Sequence, residues 1–333
     1  MVNIVLMAKF SGFSTSFSSI RGRSANLASY YISATGGTIT TSGIYKYHAF
    51  TESGTFTVNK LGLDFGATNT IEVLVVAGGG GGGGYHPSLY TAGGGAGGVI
   101  YHPSYTISAT NYTITVGAGG TGGGSSNGQV VTGGGGEHSS IILTSNSTTL
   151  FRAQGGGGGG GYNIAGVSGG SGGGAGPPGG YVTPGDPPSK AAGTSNQVSA
   201  GVNPSGCTTY GNAGSIGISY NWTSSGGGGG AGGAGDGPNA GTGIYIASFA
   251  LFGDINNLGY FASGGSGTWD GQYYSPPYPK PGGGGGKPTG EAGTGTSVPN
   301  GTAGKANTGG GGAPSKDGGS GVVLIRYKYQ KQY

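Results

Sequence analysis

Apolar and polar positions divide this chain into two regimes. From about residue 40 to 153, and again at the end, short runs read as β-strands. Tyr45 to Val58 (YKYHAFTESGTFTV) alternates and turns at Ser53-Gly54, which reads as strand, turn, strand. Thr70 to Ala77 (TIEVLVVA) is a continuous β-branched run, and GGVIYH, NYTITVGA and SSIILT follow at spacings of one strand plus a turn. VVLIRYKY (Val322 to Tyr329) comes about 170 residues later. An apolar terminal strand needs a partner, so it is expected to return to the earlier sheets. The prediction is an all-β fold, a small β-sandwich closed by strands from both ends of the chain.

Elsewhere no helical or strand period appears. Residues 1–34 are rich in Ser, Phe and Tyr without an apolar face, and read as an extended N-terminal arm. Residues 35–154 hold the sandwich strands and the first glycine tracts, 155–320 form a glycine-rich insert, and 321–333 are the returning strand.

Composition explains the insert. Of 333 residues 88 are Gly, in blocks such as Gly78 to Gly84, Gly155 to Gly161, Gly226 to Gly230 and Gly282 to Gly286, without the strict three-residue period of collagen. Such composition ordinarily means disorder, but 21 Tyr, 10 Phe and the strand runs supply packing surface that a solvated linker lacks. A glycine block has one ordered option besides a turn, an extended polyproline-II-type helix rising about 3.1 Å per residue, so seven residues span about 22 Å. It has no internal hydrogen bonds. Several side by side, lacking side chains, approach closely enough to exchange N–H···O=C bonds, which predicts a packed bundle of polyglycine type II helices on a β base.

Segments between the blocks concentrate Tyr, Trp, Pro, Asp and Asn: Tyr85 to Tyr90, Gly180 to Lys190, Ser219 to Ser225 and Gly267 to Pro281. Stiff aromatics on Pro-pinned loops make a contact surface at low entropic cost, although aromatics also cover the edges of a glycine bundle. Trp222, Trp269, Asp270, Tyr273, Tyr274 and Tyr278 are the candidate receptor contacts.

Charge changes the picture at the ends. Only 7% of residues are charged and the net charge is +4. Lys9, Arg21 and Arg23 near the start and Arg326, Lys328 and Lys331 near the end have no acid among them, so everything between sums to −2. Basic termini around a neutral middle fit anchoring to an acidic protein surface and not nucleic-acid binding. Cys207 is the single cysteine, so no disulfide framework holds the chain. MVNIVLMAKF lacks the pattern of a secretory leader and no apolar stretch approaches a membrane span, so release by cell lysis, as for virion components, is the simplest expectation.

Catalytic patterns are absent. GxGxxG matches arise by chance at this glycine content and open no helix. His48, His86, His102 and His138 lack metal-ligand spacing, the carboxylates are scattered singly, and the four N-x-[ST] sequons read as turn composition. No enzyme activity, cofactor or metal is expected.

Ile71 to Gly84, Thr113 to Gly124, Phe151 to Gly161 and Gly318 to Tyr327 each join a strand to a polyglycine tract. This ordered set, covering about residues 45 to 327, resembles the glycine-rich domain of bacteriophage virion proteins, the family that shares polyglycine-helix packing with tail-fibre tip adhesins of T-even-like phages. The resemblance implies a virion surface protein whose glycine helices form a scaffold and whose loops contact the host, through a bacterial surface glycan or an outer-membrane protein. The tip adhesins carry a larger attachment region before the glycine-rich part, whereas here about 34 residues precede the first strand. Attachment to tail fibre, baseplate or capsid therefore stays open, with capsid decoration or a head fibre as the alternative role. Phe13, Phe17, Arg21 and Arg23 in the acid-free arm are the candidate contacts to other virion proteins.

Overall fold

A computed structural model describes residues 31–62, 69–84, 90–126, 129–177, 190–197, 203–217, 224–254, 257–268 and 301–329. The strands are β1 (Ser33–Thr35), β2 (Thr38–Ser42), β3 (Tyr45–Phe50), β4 (Gly54–Lys60), β5 (Thr70–Val76), β6 (Val99–Thr106), β7 (Asn111–Thr115), β8 (Ser125–Ser126), β9 (Gln129–Val130), β10 (Ser139–Leu143), β11 (Thr148–Ala153), β12 (Thr208–Tyr210), β13 (Ile244–Tyr245), β14 (Gly253–Asp254), β15 (Asn257–Leu258), β16 (Tyr260–Phe261) and β17 (Val322–Lys328). Two antiparallel sheets dominate. One has the order β1-β4-β7-β10-β11, the other β12-β6-β5-β17-β3-β2, and the rest form two-stranded ribbons.

The expected all-β sandwich is present, and the terminal strand returns as foreseen. β17 sits between β5 and β3, pairing Val322 with Val76 on one side and Lys328 with Tyr45 on the other. Facing residues of the two sheets, among them Phe56, Val73, Val75, Ile114, Phe151, Val323 and Ile325, form one core. The sandwich also takes in Ile32 and Ala34, which the sequence places in the arm; both are buried in that core.

The unbroken apolar run of β5 has a structural cause. Leu74 and Val76 point away from the first core into a second one, with Val322 and Leu324 of β17, Val99 of β6 and Ile246, Phe249 and Phe261 of the insert. Strands buried on both faces lose their alternation. Residues 244–261, with a 3-10 turn at Ala247–Phe249, thus form a third layer over the six-stranded sheet. Arg326 pins this layer: its Nε donates to Glu72 Oε1 at 2.7 Å, and Nη1 donates to the Ser248 carbonyl at 3.0 Å. Tyr101 donates to the other Glu72 oxygen at 3.0 Å, and the guanidinium lies over the Tyr45 ring.

The N-terminal strands staple the sheets together. β1 belongs to one sheet and β2 to the other, and Gly36-Gly37 turns the corner between them with φ of +111° and +61°. A Cβ on Gly36 meets the Thr55 carbonyl, so only glycine fits. His48, fully buried, holds the corner. Its Nδ1–H donates to the Gly36 carbonyl at 2.7 Å, which leaves Nε2 to accept from the Tyr327 hydroxyl at 3.1 Å. Burial pushes the Tyr327 hydroxyl up to about 12 and holds His48 below its ordinary value, so the ring is neutral.

Candidate functional site

Glycine segments continue directly from strand ends, all at one end of the sandwich. β5 runs into Gly78 to Gly84, β11 into Gly155 to Gly161, residues 92–98 run into β6 and residues 315–321 into β17. These segments carry no strand ladder, yet their backbones are paired.

Gly78 to Gly84 shows the rule. Gly78, Gly81 and Gly84 donate to the carbonyls of Glu137, Gly134 and Val131; Gly79 and Gly82 donate to Gly319 and Lys316; Gly80 and Gly83 donate to Gly95 and Ala92. Residues three apart therefore address the same neighbour, and all three acceptor neighbours run antiparallel. The carbonyls repeat the rule with three parallel neighbours. Gly156 and Gly159 donate to Gly78 and Gly81, Gly120 and Gly123 to Gly79 and Gly82, Gly312 and Ser315 to Gly80 and Gly83. A segment surrounded by six others keeps every N–H and every carbonyl from Gly78 to Gly83 paired without contact with water. Leaving one such group unpaired costs about 1–3 kcal/mol.

Close approach is what makes this possible. A Cβ on Gly80 runs into the Gly157 carbonyl, and one on Gly83 into that of Gly160. Alanine appears where space opens: Ala96 is fully buried against the second apolar core.

At the end of this bundle farthest from the sandwich, three hydroxyl residues tie three segments together. Thr91 N–H donates to Thr268 Oγ1 at 2.9 Å, Thr268 N–H to Ser225 Oγ at 2.8 Å, and Ser225 N–H to the Thr268 carbonyl at 3.0 Å. Thr91 and Ser225 are wholly buried and Thr268 nearly so. Three buried side-chain oxygens near this end, Thr91 Oγ1, Asn239 Oδ1 and Ser315 Oγ, have no hydrogen-bond partner.

Four aromatic or Pro-rich segments adjoin this end. Segments 85–89, 178–189, 218–223 and 269–300 each start and finish at this end, because their flanking residues (84 and 90, 177 and 190, 217 and 224, 268 and 301) lie there. Trp222 and Trp269, the two tryptophans of the chain, are thus two and one residues from Ser224 and Thr268. Trp222, Trp269, Asp270, Tyr273, Tyr274 and Tyr278 themselves lie outside the described residues, as do Phe13, Phe17, Arg21, Arg23 and His86. The structure therefore brings the residues that flank the aromatic segments to one end.

A profile of the glycine-rich domain family matches residues 51–328. The chain belongs to this glycine-rich domain family. The match begins after β3 and takes in the remaining sandwich strands and the glycine segments. No curated protein matches it.

Within this glycine-rich domain His48 and His102 have structural partners. His102 lies in β6, not in a turn, donating from Nε2 to the Ser205 carbonyl at 3.1 Å and accepting at Nδ1 from Ser104 N–H. Among the described residues no group of three or more His, Cys, Asp or Glu is placed to hold a metal ion, and no helix is long and apolar enough to cross a membrane. Sequence reasoning missed the hydroxyl knot. Its signal was a Ser or Thr at the outer boundary of three glycine segments, a residue type too common here to stand out.

Proposed function

We propose that this protein is a bacteriophage virion structural protein whose glycine-rich end acts as a tail-fibre or tail-associated adhesin for a host surface receptor, a bacterial glycan or an outer-membrane protein. In this reading the glycine segments are polyglycine type II helices. The three-residue repeat of their hydrogen bonds supports that assignment, since such a helix has three residues per turn.

One observation carries the functional reading: the two kinds of candidate contact leave the molecule at opposite poles. Residues 1–30 join the fold at Tyr31 and residues 330–333 leave after Tyr329, both at the pole where Ser33 pairs with Lys60 and Lys328 with Tyr45. The aromatic segments leave from the other pole, beyond the hydroxyl knot. A molecule held by its basic termini, through Phe13, Phe17, Arg21 and Arg23, presents its aromatic loops outward. Trp222, Trp269, Asp270, Tyr273, Tyr274 and Tyr278 are the proposed receptor contacts, and an end tied by buried hydrogen bonds suits them because ordering costs are met in advance.

The test is adsorption. Trp269→Ala with Tyr274→Ala in a folded protein is expected to reduce particle binding to host cells at least tenfold. Unchanged adsorption removes that contact set. Antibody labelling of intact particles on the capsid, and not the tail, replaces the adhesin with a capsid-decoration role, and absence from purified particles removes both.

A further inference from the structure

Every open sheet has two edges, and exposed edges recruit further strands unless something protects them. Among the described residues, three of the four edges of the two large sheets are protected. β12 and β1 are three residues long, and β1 carries a register shift after Ser33. β11 carries Arg152, whose N–H is taken by Asn203 Oδ1 at 3.0 Å. β2 has none of these devices. Thr38–Ser42 (TITTS) is exposed at all five positions, contains no charge, proline or bulge, and pairs in unbroken register with β3. Its Thr and Ile residues are strong strand formers. Ile39 stands 46% exposed on it.

We propose that β2 is a self-association edge, pairing antiparallel with β2 of a second copy about a twofold axis at Thr40 and joining two six-stranded sheets into one. The occupant follows from residue matching. About that axis Thr38 faces the partner's Ser42 and Ile39 faces the partner's Thr41, so hydroxyl and β-branched side chains meet across the seam and no like charges do. The two Ile39 side chains lie diagonally across the axis on one face and cover each other. An edge without charge gives a charged peptide nothing to read. Pairing β2 with β12 of another copy engages only three residues and propagates head to tail, whereas β2 with β2 closes. A five-residue seam is short, so the dimer is weak and concentration-dependent.

Sedimentation equilibrium of the full chain over a concentration series tests this. The wild type is expected to show a reversible monomer–dimer equilibrium, Thr40→Lys to weaken it at least tenfold by setting two ammonium groups opposite each other, and Thr148→Lys on the exposed edge of the other sheet to leave it unchanged. Mild oxidation of Thr40→Cys is expected to give a disulfide-linked dimer. Thr38→Cys alone is not, but Thr38→Cys mixed with Ser42→Cys is. Cys207 is common to every variant, so the wild type under the same oxidation is the control, and burial raises its thiol to about 11. A protein monomeric at all concentrations overturns the proposal, as does equal weakening by both lysines. If the wild type is monomeric and Thr40→Lys instead speeds protease cleavage within residues 1–30, the edge belongs to the chain's own arm and the dimer is overturned.

Discussion

The sandwich and the glycine bundle share one chain and one fold but are held by opposite means. In the sandwich, side chains such as Phe56, Leu74 and Phe151 fill the space between backbones, and strand pairing follows from which residues face inward. In a tract such as Gly78 to Gly84 there are no side chains to bury, and what is buried is the peptide group itself, satisfied on all sides by six neighbours. A side-chain core tolerates exchange of one apolar group for another of similar volume, while a backbone core tolerates nothing added at all. The difference predicts opposite mutational profiles along one sequence.

The largest effect is expected inside the bundle. Gly80→Val drives a branched side chain into the Gly157 backbone, which has no way to yield, and is expected to cost more than about 4 kcal/mol in a denaturant melt or to prevent folding. A two-state melt at the wild-type midpoint would show that the packing is not as close as described. Effects in the sandwich are gentler per atom. Phe56→Ala removes a fully buried ring and is expected to cost about 3–5 kcal/mol, with the bundle's amide protection falling only as far as global stability falls.

A smaller effect comes from His48. Its folded pKa lies below the ordinary 6.5, so the neutral ring's contribution is complete above pH 6.5 and is lost as pH falls through the folded value. Melting temperature should therefore decline below pH 6.5, and His48→Gln, while less stable at neutral pH, should flatten that decline. An equal slope in both proteins assigns the acid sensitivity elsewhere. The smallest effect sharpens the comparison within the bundle. A Cβ on Gly135 meets only the Gly156 carbonyl, at 3.6 Å, so Gly135→Ala is expected within about 1 kcal/mol of wild type. A cost like that of Gly80→Val would mean that glycine is required for flexibility and not for close approach.

The sandwich strands were legible because apolar runs of β-branched residues bounded by turns have few other uses, and VVLIRYKY had to find partners. The three-residue TTY strand β12 was not, nor was the third layer at residues 244–261: ribbons of two or three residues leave no period to read. For the bundle, the tracts announced close packing, but not which tract neighbours which. Glycine blocks are chemically identical, and their neighbours are chosen by where the strand ends place them, as β5 and β17 do for Gly78 to Gly84 and residues 315–321. The roots of the aromatic loops were brought to one end by that same arrangement, through Thr91, Ser225 and Thr268.

Amide hydrogen exchange tests the central claim most directly. If Gly78 to Gly84 donate their N–H groups to three antiparallel neighbours inside the bundle, their amides are expected to exchange as slowly as those of β5, although no strand ladder protects them. Exchange at the rate of an unstructured glycine peptide, beside a protected β5, would contradict it.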